Sequence, residues 1–182
     1  MRSKHLIQRI KTCLSLADLS PCKRRQFGCV VIDPVNNVIL SEGYNGNLRG
    51  SSEICGGGRC LRTDLESGTM LEVGCIHAEQ NAIYNAVRLG TSLLKSWFII
   101  NGEPCKICAK AIIQVGALRV VCISGGYKCQ EGVKILLDNN IVVRFVDRDF
   151  SNISSALDSP CRTVLPRMSA RSCSVSPFTS PT

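Results

Sequence analysis

The chain reads as an α/β domain built on a central mixed sheet with helices on both faces. Short valine- and isoleucine-rich runs alternate with stretches of helical periodicity from Leu6 to Val146. The first two runs are joined by a tight turn cluster, whereas the later ones are joined by helix-length segments. That order gives a helix, a hairpin and then three helix-and-strand units.

Leu6, Ile7, Ile10, Cys13, Leu14 and Ala17 recur at three- and four-residue steps, one apolar face of a helix. Ser20-Pro21 ends it, because the residue before proline is pushed out of the helical region. Gly28 to Ile32 is a buried strand, Asp33 to Asn37 a turn, and Val38 to Ser41 the returning strand. Gly43 to Gly74 is irregular and rich in glycine and cysteine. Ala78 to Leu89 is a helix stopped by Gly90. Trp97 to Ile100 is a strand, with Trp97 expected in the core rather than stacked on a ligand. A helix opens at Pro104, where the missing N–H is not needed, and runs to Val115. Arg119 to Ile123 is a strand, Glu131 to Leu137 a helix and Ile141 to Val146 the last strand. No internal repeat is present.

From Ser151 onward nine serines and four prolines fill 32 residues. Residues 1–150 are therefore expected to fold as one domain, and 151–182 to form a disordered or loosely docked tail. The chain carries a net charge of +8; three arginines against Asp158 give the tail +2 of it and leave +6 on the body. Such a surface favours an anionic partner, whether nucleotide, nucleic acid or anionic surface. Nowhere do eighteen apolar residues run together, and no signal-peptide core is visible, so no membrane span is expected. Twelve cysteines would mean a disulfide framework in a small secreted protein. In this larger chain most lie in apolar or metal-like contexts, and the expected compartment is the reducing cytoplasm.

Two short motifs carry chemistry. His77-Ala78-Glu79 begins one predicted helix, and Pro104-Cys105-Lys106-Ile107-Cys108 begins another. Cys105 and Cys108, three apart at a helix start, share one face, and the positive end of the helix favours their thiolates. One imidazole and two thiolates fill three places of a tetrahedral Zn2+ site and leave the fourth open, which marks a catalytic rather than a structural centre. Glu79, two residues from His77, can accept a proton from the attacking water and return it to the substrate. H-x-E followed by P-C-x-x-C is the signature of zinc-dependent nucleobase deaminases.

Around these residues the chain resembles the dCMP deaminases of the cytidine-deaminase-like superfamily, over about Lys4 to Val146. The likeness is carried by Cys75 to Ile83, by Gly102 to Gln114, by Gly43-Tyr44-Asn45-Gly46-Asn47-Leu48-Arg49-Gly50, similar to the family's G-Y-N-G segment, and by Ser124 to Lys128. Leu48 replaces a proline common in the family, and Cys29 an alanine. The resemblance implies a three-layer α/β/α cytidine-deaminase-like fold and hydrolysis of dCMP to dUMP and ammonia, which feeds thymidylate synthesis. It implies homo-oligomers, often hexamers, activated by dCTP and inhibited by dTTP, with Mg2+ accompanying the triphosphates.

Carried over residue by residue, Asn45 meets the deoxyribose hydroxyl, and the backbone around Ala78 and Glu103 meets the base edge. Arg24 is the first choice for the phosphate and Arg25 the second, both from the basic run Lys23-Arg24-Arg25. Tyr127 is a candidate to line the pocket. The effector site is expected at Gly43, Tyr44, Gly46 and Arg49, whose glycines would let N–H groups approach phosphate. Arg88, nine residues or about two and a half turns beyond Glu79, would reach an effector or a neighbouring subunit. Some relatives hold a second, structural zinc, for which Cys22, Cys55, Cys60 and Cys75 are candidates against the alternative of free packed thiols.

Two rival functions share the metal motif. A tRNA or single-stranded nucleic-acid base deaminase suits the positive charge but not the G-Y-N-G segment, so no nucleic-acid partner is expected. A non-catalytic zinc or nucleotide-binding module has no use for Glu79.

Overall fold

Strand residues alternate between two faces, and both faces of this sheet are covered. The computed structural model describes residues 1–51, 60–65 and 74–157. Its elements are α1 (Ser3–Ala17), β1 (Gly28–Asp33), β2 (Val38–Tyr44), α2 (Ala78–Arg88), β3 (Trp97–Ile100), α3 (Lys106–Gln114), β4 (Arg119–Ile123), α4 (Gln130–Asp138), β5 (Val142–Val146) and a 3-10 turn at Ile153–Ala156. The sheet order is β2-β1-β3-β4-β5. β1 runs antiparallel to both β2 and β3, while β3, β4 and β5 are parallel. The sheet is thus mixed, as the hairpin and the helical crossovers require.

Cys29, Val31, Phe98, Ile100, Val120 and Cys122 pack in one cluster with Ala82 and Ala86 of α2, Ala109 and Ile112 of α3, and Leu136 of α4. The intervening residues Val30, Ile32, Ile99, Val121 and Ile123 pack with Leu6, Ile10 and Cys13 of α1. One helix lies on one face and three on the other, giving the three layers. Among the described residues no helix is long and apolar enough to cross a membrane.

β2 extends three residues past its expected end, pairing Gly43 with Cys29 and Tyr44 with Gly28. The glycine that looked like a breaker is a packing device. A Cβ at Gly43 would stand 2.5 Å from the Ala82 nitrogen and 2.6 Å from the Ala78 oxygen, so its absence lets α2 lie flat on β2. Asn81 and Asn85 fasten the two, donating to the carbonyls of Tyr44 and Glu42 at 2.8 and 2.9 Å. Because the clash is with backbone, Gly43→Ala is expected to cost about 1–3 kcal/mol. The check is a lower urea midpoint at unchanged slope; an unchanged midpoint would show that α2 does not rest on this glycine.

The packed domain runs past the boundary expected at 150. Ala156 is fully buried, against α1 and β5. Its carbonyl accepts a hydrogen bond at 2.5 Å from Arg119, a guanidinium that is only 3% exposed and lies 4.0 Å above the Trp97 ring. Trp97 is therefore a packing residue, as expected. Residues 158–182, the rest of the expected tail, lie outside the described residues.

Candidate metal centre and substrate cavity

The starts of α2 and α3 meet beyond the carboxyl end of β3. His77 is the N-cap of α2 and Cys105 the N-cap of α3, which starts at Lys106, two residues later than the helix expected from Pro104. The backbone N–H of His77 is tied to the Gln80 side chain at 3.0 Å, which fixes the ring's base. The ring Nδ1 lies 3.5 Å from the Cys105 sulfur and 3.4 Å from the Cys108 sulfur. All three donor atoms lie within 4.8 Å of one another, and among the described residues they form the one group able to hold a metal ion.

Two features show that the group fits zinc. Zinc–nitrogen bonds of about 2.0–2.1 Å and zinc–sulfur bonds of about 2.3 Å at tetrahedral angles span N···S edges of about 3.6 Å, close to those observed. The two sulfurs are also hydrogen-bonded to each other. The hydrogen bond from Cys108 pulls Cys105 down to about 4, and giving that bond, together with burial, holds Cys108 well above the usual thiol range. A divalent cation would replace the proton of that bond and satisfy both sulfurs. The Cys105 sulfur also draws the His77 pKa upward, against the effect of burial.

Glu79 is 5% exposed and lines the cavity beside the metal group. Burial pushes its carboxyl above the ordinary range, with the charge of His77 opposing. A carboxyl placed so can hold a proton and give it up again. By contrast, Cys13, Cys29 and Cys122 are buried and their thiols are raised by desolvation, Cys13 to about 12. They behave as small apolar residues.

The cavity has a volume of about 490 Å3 and is bordered by all of the expected substrate residues: Arg24, Asn45, Ala78, Glu103 and Tyr127, with Arg25 beside them. Asn45 is 4% exposed. Its Oδ1 accepts from the Phe27 N–H at 2.7 Å, and its Nδ2 donates to the Arg25 carbonyl at 2.9 Å and the Cys75 sulfur at 3.7 Å. Its amide N–H groups are spent on the protein, leaving one lone pair of Oδ1 for a sugar hydroxyl. Glu103 donates its N–H to the Tyr127 carbonyl at 2.9 Å and accepts the Cys129 N–H on its carboxylate at 2.5 Å.

Both candidates for the phosphate, Arg24 and Arg25, border the cavity. Arg24 donates to the carbonyl of Arg62 and, at 2.7 Å, to that of Leu65, so its guanidinium braces the 60–65 turn. Arg25 is placed better: it stands 5.6 Å over the Tyr127 ring, on the cavity wall. Phe27 was not singled out by the sequence. It meets Tyr127 edge to face at 6.4 Å and lines the same cavity. An aromatic one residue before a buried strand gives no local sign of that duty.

Cys22, Cys60 and Cys75 all border the cavity, and Cys55 lies outside the described residues. No three of them come within 4.8 Å of one another among the described residues. Two of the sulfurs accept backbone N–H groups, Cys22 from Arg25 and Cys60 from Arg62, each at 3.4 Å.

The G-Y-N-G segment is built differently from a phosphate cradle. Gly43 is paired in the sheet, and the N–H of Gly46 goes to the Ile76 carbonyl at 3.1 Å, with the return bond at 2.9 Å. The segment instead pins the strand entering His77. Tyr44, Arg49 and Arg88 are exposed.

Comparison with known proteins points the same way. Residues 3–124 match the cytidine and deoxycytidylate deaminase zinc-binding region. Deoxycytidylate deaminase of Saccharomyces cerevisiae is 29% identical over 135 residues, 74% of this chain and 42% of that protein. Deoxycytidylate deaminase of Schizosaccharomyces pombe is 34% identical over 110 residues, 58% of this chain and 32% of that protein. The chain thus spans less than half the length of these two relatives. Among solved structures, the dCMP deaminase of cyanophage S-TIM5 in complex with dCMP and dUMP superposes with a TM-score of 0.66 at 26% identity, covering 80% of this chain and 99% of that one.

Proposed function

The chain belongs to the family defined by the cytidine and deoxycytidylate deaminase zinc-binding region, and we propose that it hydrolyses dCMP to dUMP and ammonia. The observation that carries this reading is the group His77, Cys105 and Cys108 with buried Glu79 beside it; His77, Cys105 and Glu79 line one cavity, and Cys108 is fully buried behind it. Zinc held by those three residues supplies a Lewis acid that readies water as a nucleophile. Glu79 takes a proton from the water that attacks C4 of the cytosine and passes it to the ring nitrogen. It then takes the second proton to the departing amine, so that water and dCMP leave as dUMP and ammonia. Tyr127 and Phe27 supply apolar wall, and Arg25 the cation that a 5′-monophosphate needs.

The test is ammonia release from CMP, dCMP, dCTP, deoxycytidine and a short single-stranded oligonucleotide. dCMP is expected to turn over fastest. Preferred turnover of the oligonucleotide, falling steeply with salt as multiple phosphate contacts demand, would move the chain to the nucleic-acid deaminases. Zinc retention with no turnover on any of them would make it a binding module.

Three finer assignments belong to the same reading. A second, structural zinc at Cys22, Cys60 and Cys75 with Cys55 is supported by the N–H donors already aimed at the first two sulfurs; two zinc ions per chain are expected, and one refutes it. Regulation by dCTP and dTTP with Mg2+ rests on the exposed cations Arg49 and Arg88. A homo-oligomer rests on Tyr84, Val87, Leu89 and Leu94, which leave apolar surface along and after α2. Cys13, Cys22, Cys29, Cys60, Cys105, Cys108, Cys122 and Cys129 carry free thiols, in keeping with the expected reducing cytoplasm.

A further inference from the structure

We propose that Gly132 is a positioning residue for the metal ligand Cys105, and that the first turn of α4 is the part that holds the metal loop in place. This rests on the reading of His77, Cys105 and Cys108 as a zinc site. Gly132 lies in the first turn of α4, and its φ is not positive, so its own backbone does not call for glycine. Within a helix glycine is about 1 kcal/mol worse than alanine. What demands it is the approach of another chain segment. A Cβ at Gly132 would lie 2.0 Å from the carbonyl oxygen of Pro104 and 3.1 Å from the carbonyl carbon of Cys105. Those are backbone atoms, so nothing can swing aside.

Two more contacts bind the same pair of segments. The Glu103 carboxylate accepts the Cys129 N–H at 2.5 Å, at the N-cap of α4. Lys106 Nζ lies 2.6 Å from Glu131 Oε2. Residues 103, 104 and 106 are thereby each set against 129–132, and Cys105 sits between them. The Cys105 sulfur meets its partners in the group only if this loop stays where α4 puts it. Ligand positions that drift by more than about 0.2 Å leave the tetrahedral geometry.

Gly132→Ala is expected to loosen the metal without unfolding the chain, since alanine improves the helix itself. The measurements are the rate of zinc transfer to a chromogenic chelator and the visible spectrum of the cobalt-substituted protein, with thermal melting as the check on folding. Zinc is expected to be held about 10–100-fold less tightly, as when other supports of metal ligands are removed, with a changed cobalt band. Lys134→Ala, on the same helix but away from the loop, should behave as wild type. Should Gly132→Ala fail to fold, Glu103→Gln, which weakens the bond to the Cys129 N–H and leaves the packing alone, is expected to speed zinc release. Wild-type zinc release and an unchanged cobalt spectrum in folded Gly132→Ala, or in Glu103→Gln where the first is unfolded, overturn the proposal. A wild-type protein that takes no zinc overturns the metal site and the proposal together.

Discussion

Glu79→Gln should keep its zinc and lose about 10²–10⁴-fold in kcat, the range for a general acid–base group. Glutamine has nearly the volume of glutamate, so a side chain only 5% exposed is replaced without a cavity or a clash. The metal donors His77, Cys105 and Cys108 are untouched. What disappears is a carboxyl that can change its protonation state beside the reacting base. Burial has already raised that carboxyl's affinity for protons, with the charge of His77 opposing. Because the proposed mechanism gives Glu79 both the attack and the departure of the amine, the loss should fall on kcat more than on KM. Ammonia release and metal content on the same preparation check it. A variant with half the wild-type rate would remove Glu79 from the chemistry.

The parts of this site that the sequence makes legible are those written in local spacing. His77 and Glu79 are two apart, Cys105 and Cys108 three apart, and each pair opens a helix; no knowledge of the rest of the chain is needed to see what such pairs can hold. The strands are likewise legible, because short continuous apolar runs such as Trp97–Ile100 mark strands buried on both faces. What is not legible depends on segments distant in sequence. The basic run says nothing of the carbonyls about forty residues away to which the Arg24 guanidinium also donates. Gly43 and Gly46 look like a phosphate loop, and the first proves to be the bed for α2 and the second the pin for Ile76. Glycine serves both ends by the same property, close approach of backbone, and the sequence does not say what approaches. Arg119 and Ala156 belong to one packing unit although a change in composition separates them. The 3-10 turn that joins them is too short to leave a periodic signal.

Cys108→Ala should remove one zinc per chain and bring dCMP turnover to the background of the assay. Cys108 is fully buried in the first turn of α3, with its sulfur 3.4 Å from His77 Nδ1. Alanine is the best helix former, so α3 itself should persist. The loss is chemical: only one imidazole and one thiolate remain, and two protein donors are too few for a zinc centre that must also keep a place open. The Cys108 thiol goes with the sulfur, so Cys105 loses the hydrogen bond that most lowers its pKa. Zinc binds the native state alone, so the variant should also forfeit the stability that binding adds, about 4 kcal/mol where free metal is a thousand times its Kd. Cys129→Ala is the matched control. That thiol borders the cavity and stands at a helix start, as Cys105 does, yet it lies outside the three-residue group. It should keep the wild-type zinc count after dialysis against a mild chelator, whereas Cys108→Ala should fall by one. Retention of wild-type zinc and turnover by Cys108→Ala would mean that the metal sits elsewhere and that the convergence of α2 and α3 on His77 serves packing alone.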